Sequence, residues 1–126
     1  MRLLFRSLRM QLIKALRCMC IMMLDEWMYI FAGEFVAEVG GKKMRLKPGD
    51  SLLMPMRVPH RWSVAGTPTS GGIHAYTPAG KMDVFFETPK SRNGKPFSHA
   101  ELTGIYTACG MTLLGDSLTK EEIDQV

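Results

Sequence analysis

Apolar and polar positions alternate through the middle of the chain, over residues 26–64. Gly33, the Gly40-Gly41 pair, the Pro48-Gly49 pair and the proline-flanked residues 55–59 interrupt this alternation at intervals of several residues. Short alternating runs separated by Gly and Pro turns are typical of an antiparallel sandwich or barrel. The pattern therefore predicts a domain of the all-β class.

The runs between these turns predict the individual strands. Residues 27–31 are apolar at every position, which is typical of a strand that is covered on both faces or that faces an interface. Residues 34–39 and 43–47 alternate, and the Gly40-Gly41 pair predicts a tight hairpin turn between them. Four further runs are interpreted as strands: residues 51–55 (short and buried), 60–64, 73–76 and 111–114 (short, or an extended arm).

Helical spacing is confined to the part of the body that follows these strands. Residues 81–88 place three apolar side chains on one side, which predicts a helix. A second helix is predicted to begin after Ser98, because Ser98 can cap the free amides while Glu101 completes a capping box. Cys109 and Gly110 mark its end. Residues 119–126 are polar and are interpreted as a fraying tail.

Residues 1–24 differ in composition from the rest of the chain. They contain five of the eleven methionines, two of the three cysteines, five basic residues and no acidic residue. Charges interrupt the segment too often for a membrane span, and it has no small-residue cleavage site of a secretory signal. We expect a basic, loosely amphipathic helix that packs on the domain or frays. A membrane-surface or targeting segment remains the alternative.

The charge and the cysteines exclude several classes of protein. Of the 16 basic residues, five lie in residues 1–24, which leaves 11 against 12 acidic residues in the body. The near-neutral body therefore gives no indication of nucleic-acid binding. An odd number of cysteines without a secretory signal argues against a disulfide framework and predicts a cytoplasmic location. Cys18 and Cys20 lack the second pair that a closed zinc site needs.

Two half-motifs in the alternating region resemble those of a known family. Glu26 and Gly33 stand in an E-x6-G spacing, which matches the second half of the first motif of the small single-domain cupins. That motif reads G-x5-H-x-H-x3,4-E-x6-G in full. The resemblance is to the type 2, quercetin-dioxygenase-like members and covers roughly residues 25–118.

The second cupin motif, G-x5-P-x-G-x2-H-x3-N, is also matched in part. Gly49, Pro55 and His60 stand at its Gly, Pro and His positions, whereas Arg57 replaces its second Gly and Val64 replaces its Asn. The resemblance implies a cupin jelly-roll or double-stranded β-helix barrel over residues 25–118. The segment of residues 1–24 would be an atypical helical addition, with one or two helices following the barrel and residues 119–126 as a tail.

The resemblance also implies a metal centre. In the family, two motif histidines, the motif glutamate and the second-motif histidine bind a divalent metal, commonly Fe, Mn, Ni or Zn. This would make Glu26 and His60 metal ligands. The two positions of the histidine pair, however, hold Met19 and Ile21. Neither side chain is a good ligand for such an ion, so we expect weak metal binding or none in this chain.

The function that the resemblance implies is that of a metal-dependent dioxygenase acting on a small aromatic or enolic substrate. The alternatives are a non-catalytic barrel that binds a small ligand, a structural cupin, or the defective product of a frameshifted gene. The candidate substrate pocket, for which ordinary core packing is the alternative, comprises Met28, Ile30, Met54 and Trp62. The two-sided apolar strand at residues 27–31 predicts a homodimer. We expect a structural role for His74, a surface position for His99 and an inert thiol at Cys109.

The codons behind residues 18–24 offer an explanation for the missing histidines. If both cysteine codons end in C, the message read from the last base of each codon spells His-Val-His, three further residues, and then Asp25-Glu26. This restores H-x-H-x4-E at the correct spacing. We therefore hypothesise that the residues before about 25 are an out-of-frame translation. The gene sequence tests the hypothesis, because TGT at Cys18 or Cys20 would exclude it.

Overall fold

The computed structural model describes residues 4–9, 19–21, 24–66, 70–78, 80–88 and 95–126. The strands in these residues are β1 (Leu4–Arg9), β2 (Met19–Ile21), β3 (Asp25–Ala32), β4 (Glu34–Val39), β5 (Lys42–Leu46), β6 (Ser51–Met54), β7 (His60–Ala65), β8 (Gly71–Thr77) and β9 (Met111–Leu113). The helices are α1 (Met82–Glu87), α2 (His99–Ala108) and α3 (Lys120–Asp124). No helix of this part of the chain is long and apolar enough to cross a membrane.

The strands form two antiparallel sheets. The first, sheet A, has the order β1-β8-β3-β6, and the second, sheet B, has the order β5-β4-β7-β2-β9. Non-consecutive strands are neighbours in both sheets, as in the jelly-roll folds that pack two sheets around one core. The all-β prediction from the alternating runs is therefore confirmed.

The register of the strands decides which residues face the core. In sheet A, Glu26 opposes Tyr76 and Met28 opposes His74. In sheet B, Val39 opposes His60. Directly opposed residues share a face of a sheet, and the buried members of these pairs show that this face is the inner one. The core between the sheets contains Met28, Ile30, Phe35, Ala37, Leu46, Met54, Trp62 and Tyr76.

Two predicted turns depend on glycine. Gly40 and Gly41 have φ values of 58° and 84°, which is the conformation that a two-residue hairpin turn of this kind requires at both positions. Gly33, the glycine of the first half-motif, has φ of 70°. A Cβ atom at Gly33 would overlap Ser70, so this position needs glycine for space as well as for its backbone conformation.

The predicted helix in residues 1–24 is wrong for the part of this segment that the structure describes. Here β1 pairs with β8 over six residues, and β2 lies between β7 and β9. Both segments form backbone hydrogen bonds with neighbouring strands. This strand pairing outweighs a weak local preference for helix. The remaining residues of the segment, which include Cys18, lie outside the described residues.

The predicted fraying tail at residues 119–126 is also wrong. Thr119 and Glu122 form a reciprocal capping box at the start of α3, and Leu118 is buried against Val36 and Ala65. Arg45 donates hydrogen bonds to the carbonyl oxygens of Ile123 and Val126. Residues 117–126 therefore cover the outer face of sheet B rather than fraying.

The two predicted helices after the barrel are confirmed. Helix α1 buries Phe85 and Phe86, and the Phe85 ring meets Tyr106 of α2 edge-on at 5.1 Å between centroids. Ser98 caps α2 by accepting a hydrogen bond from the Glu101 amide, as the sequence predicts. These aromatic contacts attach both helices to the barrel end that contains Tyr76, because Tyr76 also packs on Phe86.

Candidate functional site

The two residues predicted as metal ligands meet inside the barrel. Glu26 projects from β3 of sheet A, and His60 projects from the start of β7 of sheet B. The side chains are almost wholly buried, and His60 Nε2 lies 3.1 Å from Glu26 Oε2. The structure therefore brings together two side chains that are 34 positions apart in the chain, and their role as metal ligands stays a prediction.

Glu26 is hydrogen-bonded by two more buried side chains. His74 Nδ1 lies 2.9 Å from Glu26 Oε1, and the Tyr76 hydroxyl donates a hydrogen bond to the same oxygen at 3.1 Å. Each carboxylate oxygen thus has at least one protein donor. We call the group Glu26, His60, His74 and Tyr76 the polar cluster. It is an isolated polar site within an otherwise apolar core.

His60 has a polar contact at each ring nitrogen. Its Nδ1 lies 3.1 Å from the Val58 carbonyl oxygen, and its Nε2 lies 3.1 Å from Glu26 Oε2. These two contacts fix the orientation of the imidazole ring beside the Glu26 carboxylate.

The Glu26 carboxyl stays ionised in spite of its complete burial. Burial alone would raise its pKa, but hydrogen bonds from His60 and His74 and the nearby positive charge lower the pKa from 4.5 to about 2. Donors aimed at the charged form of a buried carboxylate favour that form. The polar cluster therefore holds Glu26 as a carboxylate at neutral pH through hydrogen bonds from its neighbours.

His74 turns inward and contacts Glu26, a placement that the sequence analysis did not predict. We expected only a structural role for it, because its neighbours Ile73 and Ala75 are apolar and gave no phase for the strand. The sequence contains one indication of how His74 is oriented. Tyr76 lies two residues after His74, and residues two apart in a strand lie on the same face. That face is the inner one, and His74 has no exposed surface.

The predicted pocket residues all lie in the core beside the polar cluster. None of their side chains has more than trace exposure, and the four are Met28, Ile30, Met54 and Trp62. The Trp62 ring packs against the His74 ring, with centroids 4.8 Å apart and planes inclined by 33°. These four side chains could line a ligand site in the barrel interior. Their positions agree equally well with the alternative of ordinary core packing.

The other candidate residues lie away from the polar cluster. His99 is exposed in the first turn of α2, as predicted. Cys109 is buried, and burial raises the pKa of its thiol, which agrees with the prediction of an unreactive side chain. Arg57 is exposed and has φ of 66°. A left-handed conformation is strained for a residue with a Cβ atom, which explains why the cupin motif has glycine at this position.

The donor set does not fit the four-ligand metal centre that the family resemblance implies. Met19 opposes His60 in the register of β2 and β7, so the positions of the motif histidines are in the fold but carry Met and Ile. Among the residues that the structure describes, no three His, Cys, Asp or Glu side chains are placed to hold a metal ion. His60 Nε2, the atom that faces the barrel interior, lies 3.1 Å from Glu26 Oε2.

The comparison with protein families agrees with the two half-motifs. Residues 23–70 match the family described as Cupin domain. The match contains Glu26, Gly33 and His60, and it begins after positions 19 and 21. No curated protein matches the chain.

Solved structures of cupins resemble the fold. An RmlC-like cupin from Shewanella frigidimarina is 24% identical with a TM-score of 0.53, and the match covers 65% of this chain and 71% of that one. A cupin-2 domain containing protein of the same species is 13% identical with a TM-score of 0.46, over 60% and 68% of the two chains. KdgF from a Halomonas species is 31% identical with a TM-score of 0.43.

The match to KdgF covers 51% of this chain and only 55% of that protein, so it carries no activity over to this chain. The RmlC-like neighbour agrees with the two-sheet topology, and the family match spans the motif positions Glu26, Gly33 and His60. Residues 23–70 therefore match the cupin family, and the chain has the all-β, two-sheet fold of a cupin domain.

Proposed function

We propose that this protein is a cupin barrel that binds a small polar molecule in its interior without a resident divalent metal. The observation that carries the proposal is the Glu26 carboxylate, whose two oxygens accept hydrogen bonds from His60, His74 and Tyr76. In this arrangement the protein's own side chains, rather than a metal, contact the carboxylate. The polar cluster then serves as the polar end of an apolar interior.

A metal-dependent dioxygenase is the second candidate function. It is favoured by the contact between His60 Nδ1 and the Val58 carbonyl oxygen, because metal-binding histidines usually donate their other ring N–H to such a partner. Against it stand Met19 and Ile21, which leave only Glu26 and His60 of the family's ligand set. We therefore favour the metal-independent function.

Thermal unfolding distinguishes these two functions. Protein stripped with EDTA is unfolded alone and with a ten-fold excess, about 100 µM, of Zn²⁺, Mn²⁺, Ni²⁺ or anaerobic Fe²⁺. A ligand that binds only the folded state raises the unfolding midpoint in proportion to the logarithm of its concentration over Kd. We expect no rise with any of the metals. A rise that disappears in His60→Ala would favour the dioxygenase candidate instead.

We also propose that the outer face of sheet A binds a second copy of this chain. Trp27, Phe31 and Leu53 are 37%, 42% and 54% exposed on this face, and the Trp27 and Tyr29 rings stack there. The short strand at residues 51–55 was predicted to be buried, which is wrong for Ser51 and Leu53 because they point outward. The corresponding face of sheet B is covered by residues 117–126 of the chain itself, whereas these apolar side chains of sheet A remain exposed.

The dimer proposal predicts that Leu53→Glu yields a monomer. A carboxylate within a shared apolar face would have to be buried without a partner, which costs several kcal/mol and weakens association by orders of magnitude. Sedimentation equilibrium measures the change. Leu114→Glu is the matched control, since Leu114 is 49% exposed after β9 and should leave the dimer intact. A wild-type protein that is monomeric at all concentrations would contradict the proposal.

A further inference from the structure

The polar cluster is closed to solvent. Glu26, His74 and Tyr76 have no exposed surface, and His60 is 1% exposed. A molecule that binds in the interior therefore needs a part of the protein to move aside before it can enter. A surface cavity of about 260 Å³ has His60 in its wall. His60 thus borders this cavity and also contacts the Glu26 carboxylate through Nε2.

The wall of this cavity comes from two parts of the chain. The barrel contributes four residues and the C-terminal segment two: Glu38, Pro59, His60 and Arg61, with Gly115 and Asp116. We call residues 115–126 the strap. The strap follows β9, lies on the outer face of sheet B and includes α3. Its first two residues therefore form one side of the cavity that borders His60.

Arg61 ties the strap to the barrel at the cavity. Its Nη1 donates to the carbonyl oxygens of Asp116 and Ser117 at 3.3 and 3.4 Å. Its Nη2 donates to Glu122 Oε1 of α3 at 2.8 Å, and its Nε donates to Glu38 of β4. Because Arg61 itself lines the cavity, these contacts hold the strap at the place where it closes the cavity.

The strap is held by few apolar contacts. Of residues 115–126, all of which the structure describes, only Leu118 is buried. Its polar attachments involve partly exposed groups of Arg45 and Arg61. Partly exposed ion pairs contribute about 1 kcal/mol or less and are screened by salt. Segments with few buried apolar contacts open locally before the core does, so the strap separates from the barrel at a lower free-energy cost than the paired strands.

We infer that the strap gates the barrel interior, and that breaking its contacts with Arg61 opens the cavity beside His60 to an entering ligand. The inference deepens the proposed function, on which it rests, by assigning the entry route and the side chain that controls it. A strap that only stabilised sheet B would change the stability of the protein but not the access to its interior. Access is therefore the quantity to measure.

Trp62 provides the readout of access. It is fully buried and lies two residues after His60 on β7, hence on the same inner face. In Trp27→Phe protein Trp62 is the remaining tryptophan, so quenching of its fluorescence by acrylamide measures how readily a small polar molecule reaches the interior. We expect Arg61→Gln in this background to raise the quenching constant several-fold.

Glu122→Gln is a second variant that keeps Arg61 and the barrel unchanged. It removes one charge of the ion pair with Arg61, while glutamine can still form the capping box of α3. Its quenching constant should also rise. Lys120→Gln is the matched control, because Lys120 pairs with Asp124 inside α3 at an exposed site. It should leave quenching unchanged.

Salt gives an independent test of the same contacts. In about 1 M NaCl the screening length falls to about 3 Å, so quenching of Trp62 should rise in the Trp27→Phe parent. The rise should be smaller in Arg61→Gln, which has already lost the ion pair. An equal response of the two proteins to salt would contradict the role of Arg61.

Amide hydrogen exchange of residues 117–126 shows whether the strap opens in each variant, with the amides of β3 as the reference for global unfolding. Faster exchange of the strap with unchanged quenching of Trp62 would overturn the inference, because the strap would then be purely structural. Unchanged exchange in Arg61→Gln and Glu122→Gln would overturn it as well. Tight metal binding in the EDTA experiment would defeat the proposed function, whereas unchanged quenching in both variants would defeat only the gating inference.

Discussion

The double variant Met19→His/Ile21→His will bind a divalent metal more than about 100-fold more tightly than the parent chain. This gain exceeds the roughly 10- to 100-fold effect of changing a residue that only contacts a metal ligand. The reason is the register of β2, in which position 19 opposes His60, and the spacing of positions 19 and 21 from Glu26. The two histidines complete the H-x-H-x4-E arrangement of the family. Isothermal titration calorimetry with Zn²⁺ and Mn²⁺ measures the gain.

Met19→Ala/Ile21→Ala is the matched control, since it changes the same positions without adding a ligand. It should bind no more metal than the parent. Adding His60→Ala to the double-histidine variant should remove most of the gained affinity. Equal affinities in the double-histidine and double-alanine variants would show that β2 does not place these positions at the polar cluster.

Glu26→Ala will lower the free energy of unfolding by about 3–5 kcal/mol. The substitution leaves the side chains of His60, His74 and Tyr76 buried without the carboxylate that they contact. Urea denaturation measures the loss. Glu34→Ala is the control, because Glu34 pairs with Arg45 at a partly exposed site, and such pairs contribute about 1 kcal/mol or less. Similar losses in the two variants would contradict a central role for the polar cluster.

Low pH will remove the stabilisation that the Glu26 carboxylate gives to the folded wild-type protein. The pKa of Glu26 is lowered from 4.5 to about 2 in the folded state, so its stabilisation is complete above about pH 4.5 and is lost as the pH falls toward 2. The shift corresponds to a few kcal/mol, about 1.4 kcal/mol per unit. Urea denaturation across this range should show a steeper loss for wild type than for Glu26→Gln. Parallel pH profiles would show that Glu26 is not held ionised.

The strand pattern of the body was predictable because its turns have distinctive chemistry. Gly33 and the Gly40-Gly41 pair require positive φ, and alternation then fixed the phase of β3 and β7. That phase allowed the side chains of Glu26 and His60 to face the same barrel interior. His74 could not be placed in the same way, because β8 is apolar on both sides of it and its phase depends on pairing with β3.

The two chain ends were mispredicted for tertiary reasons. Residues 4–9 and 19–21 become strands only because β8, β7 and β9 offer them backbone partners, which no local pattern reveals. Helix α3 depends on Arg45 and on the apolar face around Val36. Its capping box at Thr119 and Glu122 was visible in the sequence and would have predicted it.

The out-of-frame hypothesis for the residues before about 25 stays open. The structure has a strand at the positions of the motif histidines, and the family match begins at residue 23. Both observations agree with a fold that has the strand on which the family carries its two histidines, in a sequence that lacks those histidines. The nucleotide sequence of codons 15 to 26 decides it, because TGT at either cysteine excludes the shifted reading.

The metal content of the wild-type protein tests the central claim most directly. Purified protein is incubated with Fe²⁺, Mn²⁺, Ni²⁺ or Zn²⁺, desalted and measured by inductively coupled plasma mass spectrometry, with His60→Ala alongside. We predict far less than one metal ion per chain, equal in wild type and variant, because Met19 and Ile21 stand at the positions of two of the four ligands. One metal ion per wild-type chain that is absent from His60→Ala would contradict the account.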